Sequence, residues 1–126
     1  MEKTILLVDD EPDMLEMLGL RLKKAGYKVI TAITGEECLQ KAEDKSPDLI
    51  LLDILLPGMS GFEVARQLKA KAVTKDIPVI MVTALIGKDA EKKGLERGAD
   101  YFISKPFDPE DLLSKIKVIF EKNNKK

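Results

Sequence analysis

The sequence predicts an α/β fold in which a doubly wound parallel sheet carries helices on both faces. Apolar runs such as Ile5–Val8, Leu49–Leu52 and Ile77–Val82 are typical of strands buried on both sides. Strand and helix signals alternate five times with short connections. This alternation favours right-handed crossovers between parallel strands, and in such sheets ligands bind at the carboxyl ends of the strands.

Composition limits the chemistry that this single domain can perform. The 21 basic and 22 acidic residues nearly cancel, so we expect no direct binding to nucleic acid or to a membrane. The chain has no histidine, the usual general base and zinc ligand, and only one cysteine, Cys38, which we expect to be buried and inert. The first apolar run is too short for a signal peptide or a membrane span, so a cytoplasmic location is expected.

The first half of the chain alternates strongly between strand and helix signals. After Ile5–Val8, Pro12 suits the first turn of a helix that Gly26 ends. The residues expected on its buried face are Met14, Met17, Leu18, Leu22 and Ala25. Lys28–Ala32 is a less apolar strand that we expect near an edge of the sheet.

Capping boxes open the next two helices. Thr34 with Glu37 begins one of them, and Ser60 with Glu63 begins the other after the Leu49–Leu52 strand. In each box the hydroxyl accepts a hydrogen bond from a backbone N–H of the first helical turn.

The second half continues the alternation. The fourth strand, Ile77–Val82, precedes a weak and highly charged helix over Lys88–Arg97, and Tyr101–Ile103 is a short fifth strand. The last helix begins with Pro109 at its first position and runs to about residue 122. We therefore expect one domain over 1–122 and a polar tail over 123–126.

Polar residues follow the strands at the edge where a ligand site is expected. They are Asp9 and Asp10 after strand 1, Asp53 after strand 3, Thr83 at the end of strand 4 and Lys105 after strand 5. If strands 1 and 3 are neighbours the carboxylates converge, and two such charges about 4 Å apart repel by about 4 kcal/mol at an effective dielectric constant near 20. Mg²⁺ together with one lysine would balance three carboxylates. Each residue alone also suits a helix cap, a strand end or a solvated lysine, but their joint placement indicates a site.

These residues resemble the response-regulator receiver domain of two-component signalling. The matching motifs are Asp9-Asp10 after an apolar strand, Asp53 with Pro57 and Gly61, Thr83-Ala84, and Lys105-Pro106. The resemblance extends from Ile5 to about Phe120. It implies a flavodoxin-like, five-stranded parallel sheet of order 2-1-3-4-5 with five helices.

The resemblance also implies a role for each site residue. Asp53 would accept a phosphoryl group from a sensor histidine kinase or a histidine phosphotransfer protein. Lys105 and Thr83 would contact the phosphoryl oxygens, and the peptide bond between Lys105 and Pro106 would be cis. The implied Mg²⁺ ligands are Asp9, Asp10, Asp53 and the backbone carbonyl of Leu55. Such a domain is regulatory and assists only its own phosphorylation and dephosphorylation.

In the family, output comes from a shift between two conformations. Thr83 would move towards the phosphoryl group, and Phe102 would turn inward past the small Ala84. The helix over 88–97, the fifth strand and the last helix would then present a changed surface to an unidentified downstream protein, with phosphorylation-dependent dimerisation as one form of output. Family members often carry tyrosine where this chain has Phe102, so only the steric part of the switch is retained.

Two leucines are expected beside the phosphoryl group. Leu55 and Leu85 are both aliphatic, so they cannot orient an attacking water and can exclude it. We therefore expect the phosphoaspartate to be hydrolysed slowly.

Other classes of protein fit these residues less well. A phosphatase with an aspartate nucleophile would need a second acid where Leu55 stands, and a flavin-binding electron carrier would need a Ser/Thr/Gly-rich loop after strand 1. A phosphorylation-independent interaction domain would not need the complete set of site residues. Within the leading class we favour a stand-alone receiver, and the alternative is the amino-terminal receiver of a longer DNA-binding response regulator.

Overall fold

The computed structural model describes residues 2–84, 92, 96 and 98–123. The strands are β1 (Thr4–Val8), β2 (Lys28–Ala32), β3 (Leu49–Leu52), β4 (Val79–Thr83) and β5 (Tyr101–Ser104). They form one parallel sheet in the order β2-β1-β3-β4-β5. The predicted architecture and strand order are confirmed, and β2 is an edge strand as expected.

Four helices lie within the described residues. They are α1 (Pro12–Lys24), α2 (Gly35–Lys45), α3 (Gly61–Ala70) and α4 (Pro109–Asn123). The helix predicted over 88–97 falls outside the described part of the chain, apart from Lys92 and Glu96. The last helix includes Asn123, which was assigned to the tail, and residues 124–126 are also outside the described range. None of the helices described is long and apolar enough to cross a membrane.

Two hydrophobic cores cover the two faces of the sheet. Side chains of α2 and α3 pack on one face, and side chains of α1 and α4 pack on the other. Successive residues of β1 alternate between them, since Ile5 and Leu7 belong to the second core while Leu6 and Val8 belong to the first. Cys38 is buried in the first core, where burial raises the pKa of its thiol to about 12.

The predicted buried face of α1 is partly wrong. Leu18 and Leu22 are buried, but Met17 is 40% exposed, and Leu15 packs against the core instead. The buried residues Leu18, Gly19 and Leu22 show which side of α1 faces the sheet. This rotation of the helix places Leu15 on the buried side and Met17 outside it.

The predicted helix caps are present at the carboxyl edge of the sheet. Thr34 Oγ1 accepts from Glu37 N at 3.1 Å, and Ser60 Oγ accepts from Glu63 N at 3.3 Å. The Glu37 carboxylate bonds the backbone N–H of Ile33 rather than that of the cap residue. These caps fix the starts of α2 and α3 beside the strand ends that carry the acidic residues.

Candidate functional site

Two neighbouring strands deliver the central acids. The backbone N–H of Asp9 donates to the carbonyl of Ala32 at 3.1 Å, and that of Asp53 donates to the carbonyl of Val8 at 3.1 Å. These bonds extend the ladders that join β1 to β2 and β3 by one residue. Asp9 and Asp53 therefore leave adjacent strands at the same edge, as the strand order requires.

Asp9, Asp10 and Asp53 form an acidic cluster. Each offers a carboxylate oxygen, and these oxygens lie within 4.8 Å of one another. Asp9 and Asp53 are only 3% and 5% exposed, while Asp10 is exposed to solvent. Closely spaced carboxylate oxygens with an open side fit a hard divalent cation that keeps some of its water. The predicted convergence is confirmed, and the cluster could hold a metal ion.

Lys105 supplies the positive charge inside this cluster. Its Nζ lies 2.8 Å from Asp9 Oδ2 and 3.2 Å from Asp53 Oδ2, and its side chain is 13% exposed. Its backbone N–H donates to the carbonyl of Thr83 at 2.7 Å, and the bond to Pro106 is cis, as expected. One ammonium cannot neutralise three carboxylates, so the arrangement still favours a cation.

Burial and the Asp53–Lys105 ion pair have opposing effects on the pKa values of these two groups. Burial raises the pKa of the Asp53 carboxyl, and the Asp9 charge adds to this, although the Leu55 N–H and Lys105 oppose it. Burial lowers the pKa of the Lys105 ammonium, but hydrogen bonds and charges from Asp9 and Asp53 outweigh burial and raise it. Lys105 therefore stays charged at neutral pH, and ionisation of Asp53 is less favourable in the folded protein than for a free aspartate.

Gly61 has a positional role that its place in a motif did not reveal. Its N–H donates to the carbonyl of Ile54 at 2.9 Å. A Cβ at this position would lie 2.6 Å from the Cα of Ile54 and closer still to the carbonyl oxygen of Asp53. Only a residue without a side chain allows α3 to start this close to the backbone of the acceptor strand. Such an approach can be seen only in three dimensions.

The Gly61→Ala variant should lose both stability and reactivity. The added methyl group must displace the backbone at Asp53, which we expect to cost about 2 kcal/mol of unfolding free energy, as overpacking does. The rate at which a small phosphodonor modifies the protein should fall with it. Urea unfolding and intact-mass kinetics measure the two effects.

Gly19→Ala is the matched control for this variant. Its Cβ meets nothing closer than 3.9 Å, so replacing a helical glycine should stabilise the protein by roughly 0.5–1 kcal/mol and leave reactivity unchanged. Equal behaviour of the two variants would contradict the positional role of Gly61.

The residues of the predicted switch lie along β4 and β5. Thr83 is fully buried at the end of β4, and Ala84 after it is exposed. Phe102 is half-buried, pairs with Met81 across the strands and packs on the core beneath α2 and α3.

The two leucines expected beside the phosphoryl group can be only partly placed. Leu55 is 53% exposed, and its backbone N–H donates to Asp53 Oδ1 at 3.1 Å. Leu85 lies outside the described residues.

Comparison with known proteins supports the same family. Residues 5–117 match the model of the response regulator receiver domain. The phosphate regulon transcriptional regulatory protein PhoB of Pseudomonas aeruginosa is 46% identical over 120 residues, which cover 95% of this chain and 52% of that protein. The alkaline phosphatase synthesis transcriptional regulatory protein PhoP of Bacillus subtilis is 42% identical over 123 residues, 98% of this chain and 50% of that protein. The chain thus spans about half the length of these relatives.

Solved structures show the same fold over the full domain. The CheY-like response regulator receiver domain protein of Methanospirillum hungatei is 36% identical with a TM-score of 0.93, and the match covers 99% of this chain and 98% of that one. The BeF3-activated DrrB receiver domain is 36% identical with a TM-score of 0.86, covering 96% of this chain and 99% of that one.

Proposed function

Because this chain belongs to the response regulator receiver domain family, we propose that Asp53 is its phosphoacceptor and that a phosphohistidine on a sensor kinase or phosphotransfer protein is the donor. The observation that carries the proposal is the buried Asp53 carboxylate, held 3.2 Å from the Lys105 ammonium inside a cluster of three acids. The carboxylate is fixed by its strand and lies at an edge that a donor can approach.

Phosphoryl transfer to Asp53 depends on the positioning of the reacting groups and on charge balance, and no other residue of the domain forms a covalent bond. A carboxylate oxygen of Asp53 forms a bond to phosphorus as the bond from phosphorus to the donor imidazole breaks. Lys105, already within reach of Asp53, pairs with a phosphoryl oxygen, and the Thr83 hydroxyl donates to another. Asp9, Asp10, Asp53 and the backbone carbonyl of Leu55 would hold Mg²⁺, which offsets the negative charge of the acids and of the phosphoryl group.

Phosphorylation would be read out through the β4 and β5 side of the sheet. Thr83 ends β4, and Phe102 occupies a half-buried place in β5 from which it can move further inward. Drawing Thr83 towards the phosphoryl group vacates space for the Phe102 ring, which shifts the population of surface conformations. The partner is a downstream protein or a second copy of the domain.

The half-length match to transcriptional regulators supports a second form of the proposal. In that form the domain is the amino-terminal receiver of a DNA-binding regulator, and the changed surface acts on the attached effector domain. In the first form the receiver acts alone, by contact with a separate protein. The phosphoacceptor chemistry is the same in both.

Intact-mass spectrometry tests the proposed chemistry. The protein is incubated with acetyl phosphate and Mg²⁺, and a parallel sample contains EDTA. We expect the mass of one phosphoryl group to be gained with Mg²⁺ and little gain with EDTA. Borohydride reduction of the acyl phosphate followed by peptide mapping should locate it at Asp53. A modification at another residue, or equal modification in EDTA, would refute the assignment.

The phosphoryl group should be lost slowly. The side chain of Leu55 cannot hydrogen-bond a water, so no group at this position orients the attacking water. After removal of the donor, the phosphorylated mass in the presence of Mg²⁺ should persist for minutes or longer. Leu55→Asn should shorten this lifetime, whereas Leu20→Asn, at another exposed leucine on α1, should not. Complete hydrolysis of the unaltered protein within seconds would show that the prediction is wrong.

A further inference from the structure

A groove lies beside the free edge of β2, at the amino-terminal end of the sheet. Its volume is about 590 Å³, and its lining includes Tyr27, Val29 and three lysines, Lys23, Lys28 and Lys45. The lysines come from three separate elements, since Lys23 lies in the last turn of α1, Lys28 begins β2 and Lys45 ends α2. The groove is therefore a product of the tertiary fold.

The edge of β2 offers backbone hydrogen-bonding groups to this groove. The Lys28 N–H donates to the carbonyl of Lys3, and the Ala32 carbonyl accepts from the Asp9 N–H. Every second residue of β2 therefore directs its backbone N–H and C=O groups towards β1. Val29 and Thr31 must then turn their N–H and C=O groups to the outer edge. The Thr31 carbonyl is capped by the Lys41 ammonium at 2.6 Å, whereas Val29 faces the groove. No other strand of the sheet pairs with this edge.

The net charge of the groove lining is positive, because three lysines outnumber one acid. Lys23, Lys28 and Lys45 are exposed, and none has an ion-pair partner among the residues that the structure describes. In contrast, Lys41 and Lys71 each pair with a glutamate. Within the described ranges, Glu2 is the only acid that lines the groove. A ligand that brings several negative charges would be attracted here.

We propose that this groove binds an acidic peptide segment in an extended conformation, which adds to the edge of β2 beside Val29. Backbone groups of the peptide would pair with those of Val29, and its acidic side chains would meet the three lysines. A second copy of the chain would bring the same lysines to the edge, and like charges across paired strands repel. The charge pattern therefore selects an acidic partner over self-association.

The peptide would not compete with phosphorylation. Lys28 pairs with Thr4 at the start of the strands, whereas Asp9 and Asp53 follow their ends. A partner bound at the β2 edge leaves the acidic cluster accessible, so it could remain in place while the domain is phosphorylated. The proposal goes beyond the phosphoacceptor function and does not depend on it.

NMR titration of the ¹⁵N-labelled full chain tests the proposal. The probe is the capped pentapeptide Glu-Glu-Val-Glu-Glu, which presents acids on both faces of an extended strand, and the matched control replaces each glutamate with glutamine. We expect the acidic peptide to shift the amide signals over residues 27–31, to slow hydrogen exchange of the Val29 amide, and to bind more weakly as salt is raised. Equal binding of the glutamine peptide, or no binding of either, would overturn the proposal.

Charge-matched variants separate this groove from a general attraction to basic protein. The triple variant Lys23→Gln, Lys28→Gln, Lys45→Gln should weaken binding about tenfold, since each exposed charge pair contributes modestly. The control Lys71→Gln, Lys115→Gln, Lys122→Gln removes the same charge elsewhere and should leave affinity within about twofold. An equal loss of affinity in both variants would show that binding does not depend on this groove and would refute the proposal. Inorganic phosphate that reproduced the shifts at the same affinity would identify a small-anion site instead and overturn the peptide proposal.

Discussion

The Asp53→Asn variant is expected to gain no phosphoryl group from acetyl phosphate and Mg²⁺. Asparagine keeps the shape of the side chain but lacks the carboxylate oxygen that must form the bond to phosphorus. The backbone N–H of Asp53 bonds the carbonyl of Val8, which fixes this residue at the end of β3, and we expect no neighbouring acid to take its place. Intact-mass spectrometry of the two proteins under identical conditions measures the difference.

The same variant should be more stable than the unaltered protein in EDTA at neutral pH. Burial and the nearby Asp9 charge raise the pKa of Asp53, so ionisation of this carboxyl lowers the free energy of unfolding. When folding raises the pKa of an acid, the ionised group destabilises the folded state at every pH above its folded pKa. This destabilisation disappears once the pH falls below the pKa of the unfolded chain, because the group is then protonated in both states. Urea unfolding should therefore show a stabilisation at pH 7 that shrinks on acidification. Asp48→Asn, before β3, is the control for phosphorylation and should still be modified.

The Lys105→Met variant is expected to lose most of its free energy of unfolding and most of its rate of phosphorylation. It leaves Asp9 and Asp53, which are 4% and 6% exposed at their side chains, without their ammonium partner. Removing one member of a buried ion pair costs about 3–5 kcal/mol. Phosphorylation should slow by orders of magnitude because the phosphoryl oxygens also lose this partner. Urea unfolding and mass kinetics measure the two losses.

Lys71→Met is the matched control for this variant. Lys71 pairs with Glu43 at 3.3 Å, but both side chains are largely exposed, so the change should cost less than about 1 kcal/mol. Added Mg²⁺ should stabilise Lys105→Met more than it stabilises the unaltered protein, because Lys105 is the only ammonium that pairs with these acids among the residues described. Equal Mg²⁺ effects on the two proteins would contradict the assignment of these acids as the metal site.

The elements of the fold were predictable because their signals are local. The four-residue aliphatic run of β3 is buried along its whole length, and hydroxyl caps begin α2 and α3 where the spacing of Thr34 and Ser60 placed them. The buried face of α1 was not fully predictable. Helical periodicity gives the relative angles of side chains, but the rotation of the helix depends on how α1 packs on the sheet, which buries Leu18 and Leu22 and leaves Met17 outside.

The sequence by itself determined which residues end the strands, and therefore which chemical groups meet at one edge of the sheet. Carboxylates after β1 and β3 and a lysine after β5 follow from local strand signals together with parallel pairing. Only the tertiary structure decided that Lys105 spans Asp9 and Asp53, that Gly61 touches the backbone beside the acceptor, and that three lysines surround the β2 edge. These contacts join residues far apart in the chain, and their distances depend on how the helices pack on the sheet.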